Sequence, residues 1–298
     1  MSKVYRCCRW IVEKLKLKER LTFEEFLDLW MNDDSIKGGI DFSKRNFHRY
    51  QERLRDVFGI EIGNEDRGDY AYFFTHPEQL SHKNVGEWML YTLAFGEKLY
   101  ECRSIKDRII VEDIPSGGIF LDVVTDGMKE NKKILLKYLK YNSQDVLSTT
   151  IEPYCVHLHH QRWFVLGKLD NVKLYTFALD RMLSVTMTSK TFKMDPDFDA
   201  HDYFKDMIGI YDTGEPVEHI VLRAFDTEPY YLRDLPLHHS QREIGSGEGY
   251  TDFMIDVKPN KELIAALLYK RERVKVLSPE SVVEKMKAAA QAIKDLYD

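Results

Sequence analysis

Five polar side chains near residue 45 have the types and spacing to read a nucleic-acid duplex. From Ser43 onward, Phe47, Tyr50, Leu54 and Val57 recur every three or four residues, which predicts a helix that buries this stripe. Ser43 is a good N-cap for it. Lys44, Arg45, His48 and Arg49 then share the opposite face, in the first two turns, where a recognition helix presents side chains to base edges. An arginine fork spans N7 and O6 of guanine, so Arg45 and Arg49 are assigned to bases. Lys44, His48 and Arg67 are assigned to phosphate, with Ser43 at the helix start. A solvated helix face shows the same charges, so the surrounding elements must decide.

A second group of polar residues lies among short strands: Tyr141, Tyr154, His157, His159, His160, Arg162, Tyr175 and Arg181. Alternation along a strand puts His157 and His159 on one face. That spacing permits metal coordination, but no carboxylate or cysteine completes a shell, and a polar hairpin tip is the expected reading. Arg181 suits an anionic ligand, or a structural pairing with Asp180 or another carboxylate; both remain open. The candidate ligand-binding set is Tyr141, His157, His159, Arg162, Tyr175 and Arg181. No metal and no cofactor are expected.

These groups need elements to hold them, and the 298-residue chain is long enough for two or three modules. Charged residues make up 31% and hydrophobic residues 44%, as in a globular protein. No apolar run approaches membrane-spanning length and the first residues lack a signal-peptide core, so no membrane partner and a cytoplasmic location are expected. Cys7, Cys8, Cys102 and Cys155 show no paired metal spacing and are read as reduced thiols. The net charge of −6 argues against nucleic-acid binding throughout the chain, but seven Lys/Arg fall in residues 1–20 and a second basic stretch in residues 43–58.

Ahead of the basic helix, Val4–Leu17 has helical spacing, and Thr22-Phe23-Glu24-Glu25 is a capping box for a second helix with apolar face Phe23, Phe26, Leu27 and Trp30. After it, Ile60–Ile62 and Tyr70–Phe73 read as a hairpin. Three helices and a hairpin are the order of a winged helix. Residues 81–131 show two helical patterns, and Ile134 to Val185 reads as a meander of short strands curling into a small barrel, its second strand ending at Pro153. Within it Trp163 and Val165 share one face, and Arg162, Phe164 and Leu166 the other. The last part reads βαββαβ with a closing helix, a ferredoxin-like order. In it Gly245-Ser246-Gly247 forms a turn, Asn260 caps one helix, and Ser278 caps the final helix with Pro279 opening it.

Trp163-Phe164-Val165, followed by Phe177, Leu179, Asp180 and Arg181, resembles the WYL domain, named for a Trp-Tyr-Leu triplet and carrying a later Phe-Arg-Leu-Asp-Arg signature. Pro153 is similar to the proline of that family's Arg-x-Val-x-Pro segment. Thr149 and Ala178 stand where relatives carry arginines that help hold an anionic ligand. Val274-Lys275-Val276-Leu277-Ser278-Pro279-Glu280 resembles the C-terminal extension that follows many WYL domains. Members of the family are mostly bacterial transcription regulators whose WYL domain, a small SH3-like barrel, is thought to sense a ligand.

The resemblance and the element order together imply an α+β, multidomain chain. Residues 1–80 would be a winged helix-turn-helix, 81–131 a helical connector, 132–193 the SH3-like WYL barrel, 194–214 a linker, and 215–298 a ferredoxin-like extension. The expected function is ligand-responsive transcription regulation by a homodimer that binds double-stranded DNA, with an unidentified small molecule or nucleotide as effector. A non-regulatory scaffold that holds single-stranded nucleic acid or modulates a partner enzyme is the alternative. No phosphate-cradling glycine loop, nucleophile elbow or paired metal motif supports an enzyme.

Overall fold

The structure, a computed structural model, describes residues 3–33, 36, 42–65, 67–77, 84–110, 118–140, 145–169 and 173–298. It is a mixed α+β molecule with antiparallel sheets, and it divides into two compact units, Met1–Glu112 and Asp113–Asp298.

The first unit contains α1 (Val4–Lys18), β1 (Arg20–Leu21), α2 (Phe23–Asn32), α3 (Lys44–Phe58), β2 (Ile62–Asn64), β3 (Tyr72–Phe74) and α4 (Val85–Glu101). The Thr22 capping box forms: the Thr22 hydroxyl accepts from Glu25 N at 3.2 Å and Thr22 N donates to the Glu25 carboxylate at 2.7 Å. Phe26 and Trp30 of α2 are buried and Phe23 packs beside them, but Leu27, on the same helical stripe, is exposed at its edge. The hairpin starts two residues later than the spacing suggested. A third strand, β1, pairs with β3, so the sheet order is β1-β3-β2. Trp10, Phe26, Trp30, Phe42, Phe47 and Tyr72 form an aromatic core with edge-to-face contacts such as Phe47–Tyr72 at 4.7 Å. The start of α4 presses on the end of α3. A β-carbon at Gly86 would overlap the Phe58 carbonyl, so the close approach requires glycine there.

The second unit opens with α5 (Leu121–Lys129) and a five-stranded sheet: β4 (Lys132–Leu139), β5 (Val146–His159), β6 (Arg162–Leu169), β7 (Lys173–Ala178) and β8 (Met182–Thr191), in the order β7-β6-β5-β4-β8. Pro153 does not end β5. The strand continues to His159, and the missing N–H is absorbed where the register shifts between Pro153 and Cys155, which leaves Tyr154 as a bulge. Pairing with β4 stops at Ile151, so Pro153 interrupts no ladder on that side. His160 and Gln161, both at positive φ, turn β5 into β6. Both faces of β6 are covered. Trp163 and Val165 face a core with Val124, Ile134, Leu136, Ile151, Phe177 and Leu179. Phe164 packs with Ala178, Ile210 and Phe204.

Then follow α6 (Ala200–Phe204), β9 (Glu218–Phe225), α7 (Glu228–Asp234), β10 (Arg242–Gly247), β11 (Tyr250–Val257), α8 (Lys261–Tyr269), β12 (Val274–Ser278) and α9 (Glu280–Asp295). The sheet order is β10-β11-β9-β12, all antiparallel. Two local expectations fail here. Gly245-Ser246-Gly247 belongs to β10, with the turn displaced to Gly249 at φ +77. Ser278 ends β12 and makes no cap, so Pro279 occupies the N-cap position. Asn260 caps α8 as expected, accepting from Leu263 N at 2.9 Å. Among the described residues no helix is long and apolar enough to cross a membrane.

Candidate nucleic-acid interface and ligand site

Helix α3 separates its two faces cleanly. Phe47, Tyr50, Leu54 and Phe58 are buried, with Val57 packed beside them, while Lys44, Arg45, His48 and Arg49 are exposed. Ser43 caps the helix, its hydroxyl accepting from Asn46 N at 3.4 Å. Gly59, in the left-handed region at φ 64, closes the other end and donates to the Arg55 carbonyl at 3.0 Å. His48 Nδ1 lies 2.9 Å from Gln51 Oε1, and Gln51 in turn donates to the Ile62 carbonyl at 3.4 Å, which ties the basic helix to β2. The Arg49 guanidinium rests 5.7 Å from the Tyr50 ring. Arg67 is exposed in the β2–β3 connection. Arg53, exposed one turn beyond Arg49, extends the same face and was not in the set chosen from sequence.

The basic N-terminal run behaves differently. Arg6 Nη1 lies 2.6 Å from Glu101 and Lys3 Nζ 3.2 Å from the same carboxylate. Lys14 pairs with Asp33 at 3.0 Å, Lys16 with Glu87, Arg9 with Glu13, and Arg20 with Glu65. Glu97 accepts from Arg6 N at 3.0 Å and so caps α1 from α4. Lys3, Arg6 and Lys16 thus tie α1 to α4, while Lys14, Arg9 and Arg20 are neutralised by Asp33, Glu13 and Glu65. By contrast, no described carboxylate pairs with Lys44, Arg45, Arg49 or Arg67.

In the second unit the candidate ligand residues are dispersed. Arg162 makes a two-pronged contact with Asp180, at 3.2 and 2.7 Å. Arg181 instead donates twice to the Leu139 carbonyl, at 2.9 and 2.6 Å, with its guanidinium 5.9 Å from the Tyr138 ring. It braces the end of β4. His157 and His159 do share a face, ring centres 6.0 Å apart, but α6 and α8 lie over that face. His157 packs on Phe204 at 4.5 Å, and His159 Nε2 sits 3.7 Å from Glu262. Burial lowers the His157 pKa; burial with His160 and His157 alongside brings His159 down to about 4. Tyr175 is exposed beside Lys173, and Tyr141 lies outside the described residues.

Residues 205–212 are fastened to the C-terminal sheet. Glu262 accepts from Ile210 N at 2.8 Å and Tyr211 N at 3.0 Å, Asn260 Nδ2 donates to the Ile208 and Tyr211 carbonyls, and His238 Nε2 lies 2.6 Å from the Lys205 carbonyl. Gly209, at φ +87, lets this turn wrap the Glu262 carboxylate. Thr176 of β7 donates to the Ile210 carbonyl at 3.2 Å, so the same segment joins both sheets.

The family model for the WYL domain matches residues 120–187, from the residue before α5 to Met187 of β8. Residues 120–187 form a WYL domain. Two solved structures are similar to the longer chain. Proteasome accessory factor B/C (PafBC) of Arthrobacter aurescens is 20% identical, with a TM-score of 0.33, over 89% of this chain and 42% of its own. A protein described as CRISPR Cas-related is 13% identical, with a TM-score of 0.38, over 89% of this chain and 76% of its own. This chain therefore spans less than half the length of the PafBC chain. No curated protein matches. Within the WYL domain, Arg162 and Arg181 are both engaged by the domain's own Asp180 and Leu139.

Proposed function

We propose that this protein is a DNA-binding transcription regulator that responds to a small ligand. The first unit is read as a winged helix-turn-helix with α3 as recognition helix and β2–β3 as wing. The WYL domain is read as an SH3-like barrel, and residues 215–298 as a ferredoxin-like extension; both serve as sensor, in a cytoplasmic homodimer. The reading involves no catalytic step and no cofactor.

The observation that carries it is the exposed basic face of α3, where no described carboxylate pairs with Lys44, Arg45 or Arg49, in a unit that neutralises most of its other basic stretch internally. Exposed cations without a carboxylate partner are free to replace the counterions of a phosphate backbone. Arg45 and Arg49 sit four residues apart in the first two turns, the distance at which a helix in the major groove addresses neighbouring base pairs. Genomic selection of bound duplexes, with a competing arm of single strands, tests the reading. Enrichment of a duplex sequence that is lost in the Arg45→Ala, Arg49→Ala variant supports it. Preference for single strands, or no binding to any duplex at low ionic strength, overturns it.

A further inference from the structure

The second unit contains a cleft of about 350 Å³ that none of the six candidate ligand-binding residues lines, although Tyr154 of the wider polar group does. Its walls are Tyr154, the bulge of β5; Lys168 and Leu174, paired across β6 and β7; and Phe198, Tyr203 and Asp212 from residues 195–214. Lys173 and Asp195 stand at its rim. We propose that this cleft is a binding site for a small aromatic acid: one ring and one carboxylate.

Three observations support this class of ligand. The first is the aromatic wall. Tyr154, itself largely buried and stacked on Phe192 at 6.0 Å, meets Phe198 edge to face at 4.9 Å, and Phe198 lies 6.1 Å from Tyr203, so the wall is a continuous aromatic surface against which a planar guest can pack. The second is charge. Lys168 and Lys173 carry no ion pair with a described carboxylate. Asp212 is already committed, accepting from Lys258 at 2.9 Å and from Gly214 N at 3.0 Å. Burial pulls its pKa up, but those donors, with the charges of Lys258 and Lys173, outweigh it and keep the carboxyl below its ordinary range. With Asp212 already paired to Lys258, the two lysines outweigh Asp195 in the lining and leave net positive charge for one carboxylate. The third is size: this volume is at the low end for ligand sites and suits a single-ring guest. Burial, with Asp212 and Cys155 nearby, pushes Tyr203 up to about 12, so its hydroxyl stays neutral and can hydrogen-bond a ring substituent.

The cleft also has a position from which binding would matter. Tyr154 and Lys168 belong to the WYL domain, while Asp212 adjoins the turn clamped by Glu262 and Asn260. Occupancy therefore bears on the segment that joins the two sheets. This use as an effector site rests on the regulator reading; the binding itself does not.

The test uses the full chain labelled with 3-fluorotyrosine, with ¹⁹F spectra recorded against benzoate, 4-hydroxybenzoate, neutral benzamide, adenosine monophosphate and inorganic phosphate. Saturable shifts of the Tyr154 and Tyr203 resonances (assigned from the Tyr→Phe variants) with either acid are expected. Benzamide and the phosphates should bind at least 10-fold more weakly. Lys168→Ala and Lys173→Ala should each weaken the acid about 10-fold, at unchanged melting temperature. Tyr203→Phe should spare benzoate and weaken 4-hydroxybenzoate. Absence of shifts with both acids at 10 mM, equal binding by the lysine variants, or preference for adenosine monophosphate would overturn the assignment. None of these results depends on DNA binding.

Discussion

The arginines of α3 and those of the WYL domain are the same residue type in opposite circumstances. Arg45 and Arg49 project from the first two turns of α3; Glu52 and Asp56 lie further along the same helix, and no described carboxylate pairs with either arginine. Among the described residues, Arg162 donates twice to the Asp180 carboxylate and Arg181 twice to the strand-end carbonyl of Leu139. An arginine fork costs little to organise and bonds strongly wherever a planar acceptor is offered. Where the fold itself offers the acceptor, the side chain becomes structure. Where it does not, the side chain is left for a partner. A cation's function is thus set less by its position in a motif than by whether the fold has already satisfied it.

Four measurements bear on this contrast. The largest effect is expected for Arg45→Ala with Arg49→Ala. Loss of two base contacts at about 1–3 kcal/mol each should weaken specific duplex binding by roughly 30-fold to 10⁴-fold. The urea midpoint should move little, since both side chains are exposed and Arg49 touches the core only through the Tyr50 side chain. Intact specificity would remove α3 from the interface. Arg181→Ala should act in the reverse sense. It leaves the Leu139 carbonyl without its donors and should cost about 1–3 kcal/mol in unfolding free energy, with duplex affinity preserved. A variant as stable as the parent would mean that the brace is dispensable.

Next comes pH. The folded protein holds His159 near 4 against an ordinary 6.5, so the unfolded chain takes up the proton first. This contribution is complete above about pH 6.5 and disappears as pH falls towards 4. A full conversion is discounted, because the ring is partly exposed and Glu262 at 3.7 Å favours the imidazolium. About 1–2 kcal/mol should be lost over this range, and His159→Gln should flatten that part of the curve. A variant with the same slope would show that other groups carry the acid sensitivity. Smallest is Arg162→Ala. Its pair with Asp180 is partly solvated, and about 0.5–1 kcal/mol is expected from the denaturation midpoint. A larger loss would place Arg162 with Arg181 as a brace.

How far the sequence could be read follows from what kind of force fixed each feature. Local rules were enough for α3: the stripe of Phe47, Tyr50 and Leu54 dictates which side is buried, and the basic residues take what remains. They were enough too for the caps at Thr22, Ser43 and Asn260, where a side chain satisfies an amide three residues away. The Leu-Asp-Arg signature and the Val274–Glu280 stretch located the WYL domain and the last strand. Pro153 misled, because a proline stops a strand only where a neighbour needs its N–H. Tyr141 lies outside the described residues.

What the chain by itself determined were its elements, its amphipathic faces and the presence of the WYL domain, since each depends on residues within a few positions of one another. Which cations are spent was a tertiary decision. Arg6 meets Glu101 and Arg181 meets Leu139 only because distant segments pack side by side. The cleft is of the same kind, with Tyr154, Lys168, Tyr203 and Asp212 drawn from a bulge, a strand and a clamped turn. No spacing rule connects residues that far apart. Their proximity comes from burying Phe164, Phe204 and Ile210 together and from the hydrogen bonds that hold the turn on Glu262.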